Sequence, residues 1–176
     1  MTIATITEQS LAALAEGYAV APPWRVRFTP HSRWARRVHV AADHEVWLLA
    51  WLPGQGTELH DHGGAQRPSP GAFAVVCGQL TEHTVVPGET PSLDRREFAA
   101  GAPARTVGDR AVHALTNTGD VPAVSVHVYA PRLDVMRRYL FDESGLWLAS
   151  MKRAGADWLE DPAADLSYCA APLLRL

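Results

Sequence analysis

From Trp24 onward the chain consists of short runs rich in Val, Trp, Thr, Phe and Leu, and clusters of Pro and Gly separate these runs. Turn signals at intervals of about eight to twelve residues are typical of an antiparallel sandwich or barrel. Because no segment after residue 20 has strong helical periodicity, we predict a mainly β fold, a single small β-barrel of the jelly-roll type. The predicted strands cover residues 24–29, 34–40, 45–52, 58–62, 72–77, 79–86, 96–99, 111–116, 123–129 and 135–141.

One short helix is predicted before the strands. Leu11, Leu14 and Tyr18 recur at helical spacing, and Gly17 suits the end of a helix. We expect residues 1–176 to form a single domain, with this N-terminal helix in about 1–20 and the barrel in about 24–150. The segment 63–70, GGAQRPSP, suits neither helix nor strand, so we predict a loop there.

The composition excludes several classes of protein. A chain of 176 residues with 47% hydrophobic and 20% charged residues can bury one compact core. Its net charge of -3, without long basic runs, argues against nucleic acid as a partner. The N-terminus lacks the basic start of a targeting peptide, and the apolar stretch 46–52 is too short to span a bilayer. We therefore expect a cytoplasmic protein with no membrane partner, in which Cys77 and Cys169 are buried thiols.

Histidine is the residue type that points to chemistry. His60, His62, His113 and His127 all fall in strand-like sequence. Alternate residues of a strand project from the same face, so the imidazoles of His60 and His62 can reach one point inside a barrel. A lone pair of this kind is more often structural than metal-binding. The case for a metal site improves because Gly54 precedes this pair and His113 is followed by Asn117.

Two motifs, GQGTELHDH at 54–62 and HALTN at 113–117, resemble those of the cupin superfamily. Together with GAFAVVCGQL at 71–80 and SVHVYAP at 125–131, they resemble more narrowly the bacterial type of the cysteine dioxygenase family. The resemblance implies a cupin barrel that holds Fe(II) as its only cofactor, through His60, His62 and His113. It also implies that the enzyme adds dioxygen to the sulfur of L-cysteine and forms cysteine sulfinate.

The resemblance has one informative gap, the absence of a carboxylate ligand. Ordinary cupins carry a glutamate after the histidine pair, but Gly71 is the best match to that position, and neither Glu58 nor Glu82 falls there. Three neutral imidazoles leave the charge of Fe(II) uncompensated, which favours an anionic ligand such as a thiolate. Animal members form a cysteine–tyrosine cross-link from the position of Gly71, so this chain cannot form it.

Ser125, His127 and Tyr129 alternate along one predicted strand and therefore share a face. The resemblance implies that they are catalytic, as a relay in which His127 holds the tyrosine hydroxyl beside the iron. Tyr129 would there donate a hydrogen bond to bound oxygen or bind the substrate carboxylate. The same resemblance predicts a cis peptide bond between Ala130 and Pro131.

A carboxylated substrate requires a cation, and the planar fork of arginine suits a carboxylate best. The segment Trp34-Ala35-Arg36-Arg37 resembles the family's Tyr-x-Arg block, which makes Arg36 the implied carboxylate anchor. Arg33 and Arg37 are the alternatives for the inward position. Trp34 replaces the family's tyrosine, and we expect it to line the pocket.

Three hypotheses compete with a cysteine dioxygenase. The nearest is a 3-mercaptopropionate dioxygenase, which typically has glutamine in place of the anchoring arginine. The second is a non-catalytic metal-binding cupin module, and the third is a cupin isomerase or hydrolase, which usually retains the carboxylate ligand. We expect a monomer or a weak homo-oligomer.

Overall fold

The computed structural model describes residues 6–20, 24–63, 67–88, 91–154 and 167–168. Within them lie helix α1 (Glu8–Ala19) and strands β1 (Arg25–Val26), β2 (Trp34–Val40), β3 (Glu45–Trp51), β4 (Leu59–Asp61), β5 (Gly71–Cys77), β6 (Gln79–Val86), β7 (Ser92–Ala99), β8 (Arg105–Val107), β9 (His113–Thr116), β10 (Ala123–Tyr129), β11 (Val135–Asp142), β12 (Gly145–Arg153) and β13 (Ser167–Tyr168).

Two sheets make up most of the fold. A five-stranded sheet has the order β2-β3-β10-β5-β8, and a six-stranded sheet has the order β12-β11-β4-β9-β6-β7. A further pair, β1 and β13, is separate. The predicted mainly β jelly roll with one short helix is confirmed. It is a sandwich of two sheets, and hydrogen bonding within the described ranges does not close them into one barrel.

The sheet order places three layers on top of one another. Helix α1 buries Leu11 and Ala15 against one face of the five-stranded sheet, in one apolar cluster with Val46 and Val126. The other face of that sheet packs on the six-stranded sheet. Strand β10 is buried at all seven positions because it has packing partners on both faces. Alternate residues of β10 therefore point either at the helix or at the space between the sheets.

The predicted element boundaries are largely correct. Strands β2, β6 and β10 match the predicted 34–40, 79–86 and 123–129 residue for residue. The sequence analysis missed the short strands β8 and β13, which have three and two residues, and β12, whose apolar residues do not alternate cleanly with polar ones. The peptide bond between Ala130 and Pro131 is cis, as the resemblance predicts.

One expectation about the cysteines is wrong. Cys77, at the end of β5, is disulfide-bonded and is therefore not a free thiol. Cys169 lies outside the described residues. In the part of the chain that the structure describes, no helix has the length and apolar character needed to cross a membrane.

Candidate metal centre

The three predicted ligand histidines come together between the sheets. His60 pairs directly with His113 in the ladder between β4 and β9, and His62 projects from the same face as His60. One nitrogen from each of His60, His62 and His113 lies within 4.8 Å of the other two. All three side chains are buried. The alternation in HDH predicts the approach of His60 and His62, and the family resemblance implies that His113 joins them.

Hydrogen bonds fix the orientation of two of these rings. Nδ1 of His60 lies 2.9 Å from the backbone oxygen of Glu58, and Nδ1 of His113 lies 2.8 Å from Oε1 of Glu82. Each Nδ1 therefore donates its proton outward and leaves the Nε2 lone pair available for a metal. Nε2 of His113 lies 3.4 Å from Nε2 of His62. Nitrogens bound to one metal ion at about 2.1 Å lie about 3.0–3.4 Å apart, so the spacing suits a shared ion.

The protonation state of the cluster also suits a metal. Burial lowers the pKa of His60 and of His62 well below the usual histidine value, and the neighbouring His113 lowers both further. Both imidazoles are therefore neutral near pH 7, which is the form that binds metal. Among the described residues, this is the one group of three or more His, Cys, Asp or Glu side chains that converges in this way. Three imidazoles suit a divalent transition metal such as iron or zinc.

Glu82 is a site residue that the sequence analysis considered only as a direct ligand and rejected. Its buried carboxylate contacts His113 through Oε1, and Nε of Arg105 donates to Oε2 at 2.8 Å. Burial alone would raise the pKa of Glu82, but the hydrogen bonds from His113 and Arg105 hold it below the usual value. The carboxylate is thus ionised behind the histidine. The alternation of β6 could have indicated that Glu82 is buried, because Glu82 lies two residues after Leu80 and shares its core-facing side.

A hydrogen-bonded row follows β10. Nε1 of Trp51 donates to Oγ of Ser125 at 2.9 Å, and the same oxygen lies 2.8 Å from Nε2 of His127. Burial lowers the pKa of His127 to about 3, so this ring is neutral at physiological pH. The Ser125 hydroxyl bridges the Trp51 indole and the His127 ring. Trp51 therefore belongs to this row.

Tyr129 lies at the metal-facing end of the same strand. Its ring centroid is 4.9 Å from that of His62 and 6.4 Å from that of His127, on which it stacks. Burial raises the pKa of Tyr129, and the charge of Glu45 raises it further. The phenol therefore keeps its proton and can act as a hydrogen-bond donor.

The positions predicted for Arg36 and Trp34 require correction. In the ladder between β2 and β3, Trp34 lies opposite Ala50 and Arg36 opposite Leu48. Opposite residues share a face of the sheet, and both Ala50 and Leu48 face α1. Trp34 is buried in the cluster under the helix, and Arg36 is exposed. Neither side chain joins the histidines.

Arg33 is the arginine that faces the histidines. Its guanidinium carbon lies 5.7 Å from the Trp51 ring centroid, and its Nη1 is 3.5 Å from the backbone oxygen of Gly56. Burial is the largest cause of the low pKa of His60 and of His127, and the charge of Arg33 lowers both further. Arg33 is one of the two alternatives that the sequence left open for the inward cation.

Comparison with known families agrees with this geometry. The sequence model of the family described as cysteine dioxygenase type I matches residues 2–144. This span includes all three histidines, Glu82 and the Ser125–Tyr129 strand. No curated protein sequence matches the chain significantly.

Solved structures with the same fold include two bacterial proteins. The TT1209 protein of Thermus thermophilus is 26% identical, with a TM-score of 0.50, and the match covers 61% of this chain and 90% of that one. A Klebsiella pneumoniae protein with a double-stranded beta-helix domain is 23% identical, with a TM-score of 0.50, over 61% of this chain and 79% of its own. The latter likeness concerns the fold alone.

Proposed function

We propose, on the premise that the chain belongs to the cysteine dioxygenase type I family, that it is an iron(II)-dependent dioxygenase that converts L-cysteine and dioxygen into cysteine sulfinate. One observation carries the proposal. His60, His62 and His113 form a buried ligand set without a carboxylate, next to a protonated tyrosine and an inward arginine. A neutral ligand set favours an anionic substrate sulfur at the metal.

The reaction joins one thiol and one dioxygen molecule. Both oxygen atoms are bonded to sulfur in the product, and the S–H bond is replaced by the ionisable proton of the sulfinic acid. Dioxygen supplies the whole oxidation of the sulfur, so no external reductant is needed. Iron held by the three histidines would supply the redox chemistry that allows dioxygen to react with a thiol.

Arg33 is proposed to bind the substrate carboxylate. Its guanidinium is held near Trp51 and lies close enough to His60 for its charge to act on that ring. Two parallel N–H donors can hold a carboxylate in one orientation, which would place the thiol of an α-amino acid at the histidine cluster. Arg33 thus takes the role that the family resemblance implied for Arg36.

Tyr129 is proposed to donate a hydrogen bond to the bound substrate or oxygen. It remains protonated because its burial and the charge of Glu45 both raise its pKa. The ring of His127 lies 6.4 Å from the Tyr129 ring, centroid to centroid, and Ser125 forms a hydrogen bond with His127. A rigid donor of this kind can stabilise negative charge that develops on oxygen during the reaction.

The second candidate is 3-mercaptopropionate dioxygenase. The two substrates share a thiol and a carboxylate and differ in the amino group. Because the resemblance associates an anchoring arginine with cysteine, Arg33 favours cysteine. A passive metal-binding module is disfavoured, since such a module has no need of a buried, protonated tyrosine beside the histidines.

The experiment that decides between the substrates is a comparison of kcat/KM for L-cysteine and 3-mercaptopropionate, using protein loaded anaerobically with Fe(II). We expect L-cysteine to have the higher value. A strong preference for 3-mercaptopropionate would overturn the substrate assignment while leaving the thiol dioxygenase assignment intact. If neither thiol causes oxygen uptake although iron is bound, both the substrate assignment and the thiol dioxygenase assignment are overturned.

A further inference from the structure

The three histidines differ in what holds their outward nitrogens. His60 donates to an uncharged backbone oxygen, whereas His113 contacts the carboxylate of Glu82 at 2.8 Å. Nδ1 of His62 is buried and has no hydrogen-bond partner among the described residues. A single histidine of the three is therefore connected to a negative charge. The ligand set is asymmetric even though its three members are chemically identical.

Glu82 is held rigidly in this position. Its side chain is 1% exposed, and Arg105, which is 27% exposed, binds the carboxylate oxygen that His113 does not use. Arg105 lies on β8 of the five-stranded sheet, whereas Glu82 and His113 lie on neighbouring strands β6 and β9 of the six-stranded sheet. The row Arg105–Glu82–His113 therefore joins the two sheets at the metal centre.

We infer that Glu82 is a positioning residue of the metal site, which orients His113 and supplies through that ring the negative charge that the ligand set itself lacks. A carboxylate that accepts the outward N–H of a ligand histidine makes that ring a stronger donor to the metal. The common arrangement of two histidines and one carboxylate places the negative charge on the metal directly. Here a third histidine takes the place of that carboxylate, and the negative charge lies one residue further out, behind His113.

The inference rests on the metal site of the proposed function, so its test uses the metal without any thiol. Co(II) affinity is measured by competition with a chelator under anaerobic conditions for the wild type and for Glu82→Gln, which keeps the size and an oxygen acceptor. Loss of such a partner typically weakens metal binding about 10- to 100-fold. The matched control is Glu58→Gln, which changes a 67% exposed carboxylate and leaves the backbone oxygen on His60 in place.

A purely structural role for Glu82 is distinguished by the midpoint potential of the iron-loaded protein. Removal of a negative charge disfavours Fe(III), so Glu82→Gln is expected to raise this potential, and Glu82→Asp, which keeps the charge, is expected to restore it toward the wild-type value. Arg105→Gln removes the positive charge that faces Glu82 and is expected to lower the potential. This opposite shift is measurable even if Glu82→Gln does not fold.

The outcomes separate the two proposals. A wild-type protein that binds neither Co(II) nor Fe(II) would overturn the proposed function and the inference together. Metal binding by the wild type, with Glu82→Gln folded and its Co(II) affinity and iron potential unchanged, would overturn the inference alone. If Glu82→Gln does not fold, an unchanged potential in Arg105→Gln would overturn it. Weaker binding by Glu82→Gln, with Glu58→Gln unchanged, supports it.

Discussion

Gly71 lies directly opposite Tyr129 in the antiparallel ladder between β5 and β10. A Cβ atom added to Gly71 would lie 2.9 Å from Cδ1 of the Tyr129 ring and 2.9 Å from the backbone oxygen of Val128. The tyrosine ring therefore occupies the space that any side chain at position 71 would need. The absence of a side chain at Gly71 is part of what sets the position of Tyr129 beside His62.

We expect Gly71→Ala to destabilise the protein and to reduce turnover. The added methyl group must displace either backbone or the Tyr129 ring, and overpacking of this kind costs about 1–3 kcal/mol. Urea unfolding measures the first effect, and steady-state kinetics with L-cysteine measures the second. Gly17→Ala is the control, because a Cβ there meets nothing within 4 Å. Since alanine favours a helix over glycine, this control should be as stable as the wild type or more so. An undisturbed Gly71→Ala enzyme would contradict the packing argument.

The assignment of Arg33 predicts a loss of carboxylate recognition. Arg33→Ala removes a charge-assisted contact of about 1.5–3 kcal/mol, so kcat/KM for L-cysteine should fall about 10- to 100-fold. Cysteamine, which lacks the carboxylate, should lose far less. Arg36→Ala should leave kcat/KM close to the wild-type value, because Arg36 is exposed and lies on the opposite face of β2. The reverse pattern, with Arg36 essential and Arg33 dispensable, would contradict this assignment and support Arg36 as the carboxylate anchor.

Because His127 is buried and neutral, we expect the protein to lose stability in acid. Its pKa is about 3 in the folded protein, below the ordinary histidine value of 6.5, so the unfolded chain binds a proton more readily. The stabilisation is complete above about pH 6.5 and is lost progressively as the pH falls toward 3. Between pH 7 and pH 5 this one group contributes a decrease of about 2 kcal/mol in the free energy of unfolding.

Urea unfolding of the metal-free protein at both pH values checks this expectation, with His127→Gln as the comparison. The variant should show a smaller decrease between pH 7 and pH 5, because glutamine does not titrate. His31 is the matched control, since it is an exposed histidine, and His31→Gln should keep the wild-type dependence. An equal decrease in His127→Gln and the wild type would contradict the assignment of a buried neutral His127.

Asp61 anchors strand β4 on the face opposite the histidines. It lies between the two ligand histidines but faces the other way, where its buried carboxylate accepts from Nε of Arg137 at 3.1 Å and from the hydroxyl of Tyr139 at 2.7 Å. Asp61→Ala leaves both donors without this partner, and we expect a loss of about 1–3 kcal/mol in the free energy of unfolding. Arg95→Ala, which breaks an exposed pair with Glu97, should cost less than about 1 kcal/mol. Equal losses in the two variants would contradict this account.

The sequence predicts the pairing of His60 with His62 because the relevant geometry is local, whereas His113 lies on a distant strand and was assigned through the family resemblance. A spacing of two residues on a strand places His60 and His62 on one face. The same spacing places Ser125, His127 and Tyr129 on one face of β10. The predicted range of β10, 123–129, also matches the structure, where all seven positions are buried. In these cases the short-range pattern contains all the information needed.

The face of β2 could not be predicted from its own residues. Trp34 and Arg36 point toward α1 because the helix supplies an apolar partner for the indole, and that packing involves residues far apart in sequence. A register shift between Arg37 and His39 adds to the difficulty. Glu82 was missed as a site residue for a similar reason, since its role depends on the pairing of β6 with β9, in which His113 lies opposite Thr84.

The central claim is tested most directly by the fate of dioxygen. Protein loaded anaerobically with Fe(II) is given L-cysteine and oxygen-18-labelled dioxygen, and the product is analysed by mass spectrometry beside a His113→Ala control. We predict cysteine sulfinate with both of its sulfur-bound oxygens labelled, in a one-to-one ratio to the dioxygen consumed, and no such product from His113→Ala. Disulfide as the main product, a single labelled oxygen, or equal sulfinate from His113→Ala would contradict the account.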